Sequence, residues 1–165
     1  MPQIHRILTK EQETKHLSEC LTKDRIITNV IAEDIDSLLE KFAELFSPEI
    51  ARELQKREKS GTTSVGKGYA VPHARIPNLE STEVGITTTR GTDFNSPDNQ
   101  PVYIAFGIIV PALGMNGIYL SLLGECAKII ECDYFNETIT KIKNGKKISP
   151  NEIYNLLLKY KKQQS

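Results

Sequence analysis

The segment VYIAFGIIV, residues 102–110, constrains the fold more than any other part of the chain. It is uncharged, rich in β-branched and aromatic residues, and far shorter than a bilayer-spanning helix requires. A continuous apolar run of this length reads as a strand buried on both faces rather than as one with a wet side. Such a strand needs cover above and below, so the rest of the chain must supply helices for two layers.

It does. Before the run, EDIDSLLEKFAELF (33–46) places Ile35, Leu38, Leu39, Phe42, Leu45 and Phe46 at helical spacing behind Asp34 as N-cap. SPEIARELQKREK follows, with Ser47 as cap and Pro48 at the first helical position, and should stop before Gly61. After Pro111, NGIYLSLLGECAKIIE carries an apolar face through Ile118, Leu122, Leu123, Cys126, Ile129 and Ile130. DYFNETITKIKNG aligns Phe135, Ile139 and Ile142 ahead of Gly145 as C-terminal stop. In SPNEIYNLLLKY, residues Ser149, Pro150 and Glu152 are spaced as a capping box. RIITNVIA (25–32), TSVGKGYAVPH and VGITTTR (84–90) read as extended, and GTDFNSPDNQP as turns. Helices, then strands, then helices imply an α/β fold: a three-layer sandwich, a mixed sheet flanked by helices on both faces. We expect one domain over 1–165, with 1–24 loosely attached.

Charge and cysteine content narrow the function classes. Lys plus Arg and Asp plus Glu both number 21, which gives no electrostatic case for nucleic acid or an anionic membrane. The N-terminus lacks a signal-peptide pattern and no apolar run reaches membrane-spanning length, so no membrane insertion and a cytoplasmic location are expected. Cys20, Cys126 and Cys132 lack CxxC spacing and share no ligand spacing with His5, His16 and His73; we expect neither a disulfide frame nor a metal site.

GTTSVGKG (61–68) nearly spells a phosphate-cradling nucleotide loop, but Gly68 stands where the Mg²⁺-binding hydroxyl would be. It also runs into YAVPH rather than into a helix. Gly66 and Gly68 suit a tight turn or a close backbone approach better.

GYAVPHAR (68–75) then raises the question of His73. Pro72 fixes its own φ and pushes Val71 into extended backbone, so the approach to His73 is stiff. A neutral imidazole can act as a nucleophile. Arg57, at the end of the preceding helix, and the hydroxyls and N–H groups of Thr62, Thr63 and Ser64 have the chemistry that a tetrahedral dianion demands. Residue types alone still leave a loop histidine without chemistry as the plainer reading.

The longer string REKSGTTSVGKGYAVPHARIPNL (57–79) closely resembles the phosphohistidine segment of enzyme IIA components of the bacterial phosphoenolpyruvate-dependent phosphotransferase system, of the fructose/mannitol class and in particular its nitrogen-regulatory branch. Arg57, Glu58, Gly61, Thr62, Thr63, Val65, Gly66, Gly68, Ala70, Val71, Pro72 and His73 stand in register with the family run; a weaker likeness covers most of the chain. The resemblance implies a mixed sheet between helices and transfer of a phosphoryl group from a phosphohistidine carrier protein to Nε2 of His73, without cofactor or metal. Nδ1 would then be held by another group such as a backbone carbonyl. Arg57 would neutralise the phosphoryl oxygens, with Thr62 and Thr63 as phosphate ligands. Sugar-specific members pass the group to a IIB partner; regulatory members signal to potassium-transport or sensor proteins. Many relatives carry a second histidine in the helix after the VP turn, where this chain has Tyr119, either a hydrogen-bond donor to phosphate or a packed aromatic. The reading favoured is a phosphocarrier with a regulatory role. The alternatives are a sugar-specific IIA and a docking module that is never phosphorylated.

Overall fold

A computed structural model describes residues 15–113 and 116–164. The elements are α1 (Leu17–Cys20), β1 (Leu21–Val30), α2 (Ile35–Ala43), α3 (Pro48–Lys59), β2 (Ser64–Gly66), β3 (Tyr69–Ala70), β4 (His73–Ile76), β5 (Glu83–Thr92), β6 (Val102–Pro111), α4 (Asn116–Ile129), α5 (Asp133–Lys143) and α6 (Pro150–Gln163). Six strands make one mixed sheet, in the order β1-β5-β6-β3-β2, with β4 also paired to β6. β5 and β6 are antiparallel, β1 runs parallel to β5, and β3 and β4 run parallel to β6.

The apolar run is the centre of this sheet. Its alternate residues go to opposite sides, as the two-residue period of a strand requires. Ile104, Phe106 and Ile108 pack among the apolar stripes of α4, α5 and α6, including Ile118, Leu122, Phe135, Ile139 and Leu157. Ala105 and Ile109 face the other way, toward Leu38, Leu39, Phe42 and Leu54 of α2 and α3. The expected three-layer sandwich is therefore the observed one.

Small residues decide how close the α2 layer can come. Gly85 and Gly107 are cross-strand partners. A Cβ on Gly107 would lie 1.9 Å from Phe42 Cζ, and one on Gly85 would lie 2.7 Å from Phe42 Cε2. The Phe42 ring therefore rests on bare backbone, which no other residue type would allow.

Caps and element starts follow the sequence with two differences. Asp34 accepts from Ser37 N at 2.8 Å, and the Ser149 hydroxyl accepts from Glu152 N at 3.2 Å. Gly145, at φ 87°, closes α5: its N–H reaches Ile142 O and that of Lys146 reaches Lys141 O, both at 2.9 Å. Ser47 makes no side-chain capping bond, so Pro48 alone marks that helix start. β1 begins at Leu21 rather than at residue 25, and Leu17 is fully buried. Residues 17–24, expected to be loosely attached, therefore pack into the fold, whereas 1–14 lie outside the described residues.

The strand leading to the histidine is interrupted. β3 pairs Ala70 with Ala105, and β4 pairs His73 with Ile108, so the chain tracks β6 in unbroken register. Pro72 has no N–H to give a neighbour, though its carbonyl still accepts from Ile108 N at 2.9 Å. Val71 turns its N–H away to Thr63 O at 3.0 Å. Beyond this break β2 has ended, and β4 runs on with β6 as its partner. His73 is its first residue.

Candidate active site around His73

His73 sits where all three layers meet. A cleft of about 460 Å³ is walled by Glu53, Lys56 and Arg57 of α3, by His73, Ala74 and Arg75 of β4, and by Val110 and Tyr119 on the far side.

Both imidazole nitrogens are spoken for. Nδ1 lies 2.9 Å from the Val71 carbonyl oxygen, which can only accept, so Nδ1 carries the hydrogen. Nε2 is then the bare nitrogen, and it accepts from Arg57 Nε at 3.1 Å. Arg57 is anchored in turn by Nη1, which donates to Gly61 O at 2.8 Å. The Pro72 break creates this arrangement: it frees the Val71 carbonyl from the ladder and directs it back at the ring two residues on.

Burial, the largest influence, lowers the His73 pKa from its ordinary value because the charged ring is poorly solvated. The Val71 carbonyl opposes this, while the charges of Arg57 and Arg75 push the same way as burial. The ring is thus neutral at pH 7, with its lone pair at Nε2 under the Arg57 guanidinium. Burial also raises the Tyr119 phenol, which stays protonated. Its ring centroid is 5.7 Å from that of His73, tilted by 45°.

Of the sequence candidates, His73, Arg57 and Tyr119 come together in the cleft. The two threonines do not. Thr62 Oγ1 donates to Phe94 O at 2.5 Å and accepts from Ser64 N at 3.1 Å. Thr63 is buried, its hydroxyl and N–H held by Glu58 at 2.6 and 2.8 Å. These hydroxyls shape the loop between α3 and β2. Sequence reasoning missed Arg75 and Lys56 as cleft residues. The available signal was Arg75's place two residues after His73, on the same side of a strand.

The nucleotide-like GTTSVGKG supplies the first strand and the turn of a β-hairpin that β3 completes. Lys67 and Gly68 both have positive φ, at 58° and 92°, as the central pair of a tight hairpin turn. Lys67 N donates to Asp98 Oδ2 at 2.8 Å and Lys67 Nζ pairs with Glu131 at 2.8 Å, so this lysine is used structurally. Among the described residues, no group of three or more His, Cys, Asp or Glu side chains is placed to hold a metal ion, and no helix is long and apolar enough to cross a membrane.

The family model for "Phosphoenolpyruvate-dependent sugar phosphotransferase system, EIIA 2" matches residues 8–159. The chain belongs to this enzyme IIA family. It is 32% identical over 112 residues to a "Nitrogen regulatory protein" of Klebsiella oxytoca, covering 67% of this chain and 65% of that protein. It is 30% identical over 124 residues to the one of Pseudomonas aeruginosa, covering 70% and 80%. A 38% identical match to the Bradyrhizobium diazoefficiens protein of that name covers 47% of this chain and 50% of the relative. The alignments span between half and four fifths of these relatives' own length. The nitrogen regulatory protein IIA-Ntr of Neisseria meningitidis superposes with a TM-score of 0.74 at 24% identity, covering 85% of this chain and 97% of that one. The mannitol IIA of Escherichia coli gives 0.66 at 18%, covering 82% and 97%. At these identities the two structures speak for the enzyme IIA fold alone.

Proposed function

We propose that this enzyme IIA domain is a phosphocarrier that accepts a phosphoryl group on Nε2 of His73 from the phosphohistidine of a small carrier protein, and that its phosphorylated and free forms serve regulation. The observation that carries this reading is the pinned tautomer. Val71 holds Nδ1–H, so the only lone pair faces an open cleft beside an arginine.

The step balances without an external acid, base or metal. The Nε2 lone pair forms a bond to phosphorus while the donor's P–N bond breaks, its electron pair staying on the donor nitrogen. A donor ring protonated on its other nitrogen departs as neutral imidazole. His73 keeps its Nδ1 hydrogen and becomes a phosphorylated ring cation, stabilised by the Val71 carbonyl. The bond energies on the two sides are similar, so the site contributes alignment and charge neutralisation. In the resting arrangement Arg57 covers the attacking lone pair; for transfer its Nε–H must slide from Nε2 onto a phosphoryl oxygen.

The curated relatives' name, "Nitrogen regulatory protein", supports the regulatory branch. The sequence resemblance to that branch implies potassium-transport or sensor proteins as targets. A IIB acceptor is the competing destination; a solved complex of the mannitol IIA with phosphorylated IIB shares the fold, with a TM-score of 0.64 at 17% identity. Incubation with phosphoenolpyruvate, enzyme I and a histidine carrier protein tests the proposal by intact mass. One acid-labile phosphoryl group, absent in His73→Ala, is expected. An unmodified mass with cognate donors would leave the docking-module reading, and modification that persists in His73→Ala would overturn His73 as the phosphorylated residue.

A further inference from the structure

We propose that the cavity between α4, α6 and the residues just ahead of α1 is a second binding site, for a small dicarboxylate. It lies apart from the His73 cleft and shares no lining residue with it. The phosphocarrier reading is not needed for it.

The cavity holds about 450 Å³, within the ordinary range for a small-molecule site. One wall carries a buried charge that the protein has already spent. Both oxygens of buried Glu125 on α4 are engaged: Oε2 accepts from His16 Nδ1 at 2.5 Å and Oε1 from Leu17 N at 3.1 Å. Lys15 and Lys128 also line the cavity, and among the described residues neither has a carboxylate within ion-pair reach. The Lys15 N–H donates to Ser121 Oγ at 3.1 Å, which fastens its segment to α4. Two ammonium groups bordering one space call for two negative charges.

Two further features point to a ligand rather than to lysines that are merely solvated. Tyr160 of α6 is only 4% exposed and lines the cavity, yet its hydroxyl has no hydrogen-bond partner among the described residues and is not sealed in the interior. Burial, and then the charge of Glu125, raise its pKa, so the phenol keeps its hydrogen and can donate. A carboxylate oxygen is the fitting acceptor beside two ammonium groups. Among the described residues no arginine lines the cavity, which favours carboxylate over phosphate. Gly124 of α4 is the second feature. Inside a helix glycine is the poorest choice short of proline, and no close neighbour requires it here, since an added Cβ would meet nothing within 4 Å among the described residues. The missing side chain keeps the cavity open.

The experiment is a ¹H–¹⁵N NMR titration of the full chain with succinate, acetate and inorganic phosphate. Succinate should give saturable shifts at Gly124, Glu125 and Lys128, with a Kd of about 1 mM or tighter. It should bind about tenfold more tightly than acetate or phosphate, since neither offers two separated carboxylates. Lys128→Met should weaken succinate about tenfold, and Tyr160→Phe, which keeps the ring, about threefold or more. Gly124→Leu should abolish the shifts by filling the cavity, without lowering the urea midpoint, because leucine is the better helix former. Should that variant fail to fold, the exposed Lys128→Met change still decides. Three results would overturn the inference: no saturable response to succinate up to about 20 mM; acetate or phosphate bound as tightly as succinate; or succinate bound equally well by the parent and by Lys128→Met.

Discussion

His73 is poised by contacts of opposite sense. Val71 draws on the hydrogen at Nδ1, while Arg57 sits on the lone pair at Nε2. Because burial and two cations favour the neutral ring, its midpoint in an NMR titration should fall below the ordinary 6.5. Arg57→Ala removes one of those cations and uncovers the lone pair, so the midpoint should move up. The same variant should accept phosphate at least tenfold more slowly, about 1.4 kcal/mol of barrier. A faster or equal rate would make Arg57 a cover for the nucleophile and nothing more. Much of this neighbourhood is legible in residues 57–73, since Arg57 and His73 stand in register with the family run. The threonines show the limit of residue-type reasoning. Their hydroxyls suit phosphate, but Phe94 and Glu58 already hold them. Arg75 is silent in one dimension because an arginine on a short strand reads as a solvated charge. Only the fold brings an aromatic ring from α4 beneath it.

At the scale of elements, the α3–β2 loop and the hairpin after it set where the site residues emerge. Glu58 holds both the N–H and the hydroxyl of buried Thr63, so Glu58→Ala strands two polar groups. We expect a loss of about 1–3 kcal/mol in urea unfolding, with Glu58→Gln recovering part. The hairpin depends on Gly68. Its φ of 92° is unfavourable for any L side chain, and an added Cβ would meet Ile139 Cδ1 at 3.1 Å and Tyr103 Cδ2 at 3.2 Å. Gly68→Ala should therefore destabilise by about 1 kcal/mol or more, as read by the midpoint of denaturant unfolding. The sequence already argued against a nucleotide loop here, through the missing hydroxyl and the extended run after it. What it could not reveal is that Asp98 and Glu131, far along the chain, occupy Lys67. The Pro72 break was readable as stiffness; its use, turning the Val71 carbonyl onto the ring, appears only with the β6 register.

For the whole molecule, one apolar run dictated two helical layers, and those layers set a cleft at the sheet where α3, β4 and α4 converge. The layers were legible because hydrophobic period survives in one dimension. The start of β1 was less so, since Leu21 is followed by the exposed stretch Thr22 to Asp24 before the strand's apolar residues resume. The site also leaves a mark on global stability. A histidine whose folded pKa is depressed adds no penalty well above pH 6.5, where both states are neutral. As pH falls through 6.5 the unfolded chain takes up its proton first, and the native state loses stability until the folded ring also titrates. His73→Gln removes this linkage, so it should lose less stability than the parent between pH 7.5 and 5.5 in urea melts. The account stands most directly on which nitrogen carries the phosphoryl group. In the phosphorylated protein, a long-range ¹H–¹⁵N correlation spectrum of the His73 ring should place phosphorus on Nε2, with the Nδ1 hydrogen still bonded to Val71. Phosphorus on Nδ1, or on another residue, would contradict it.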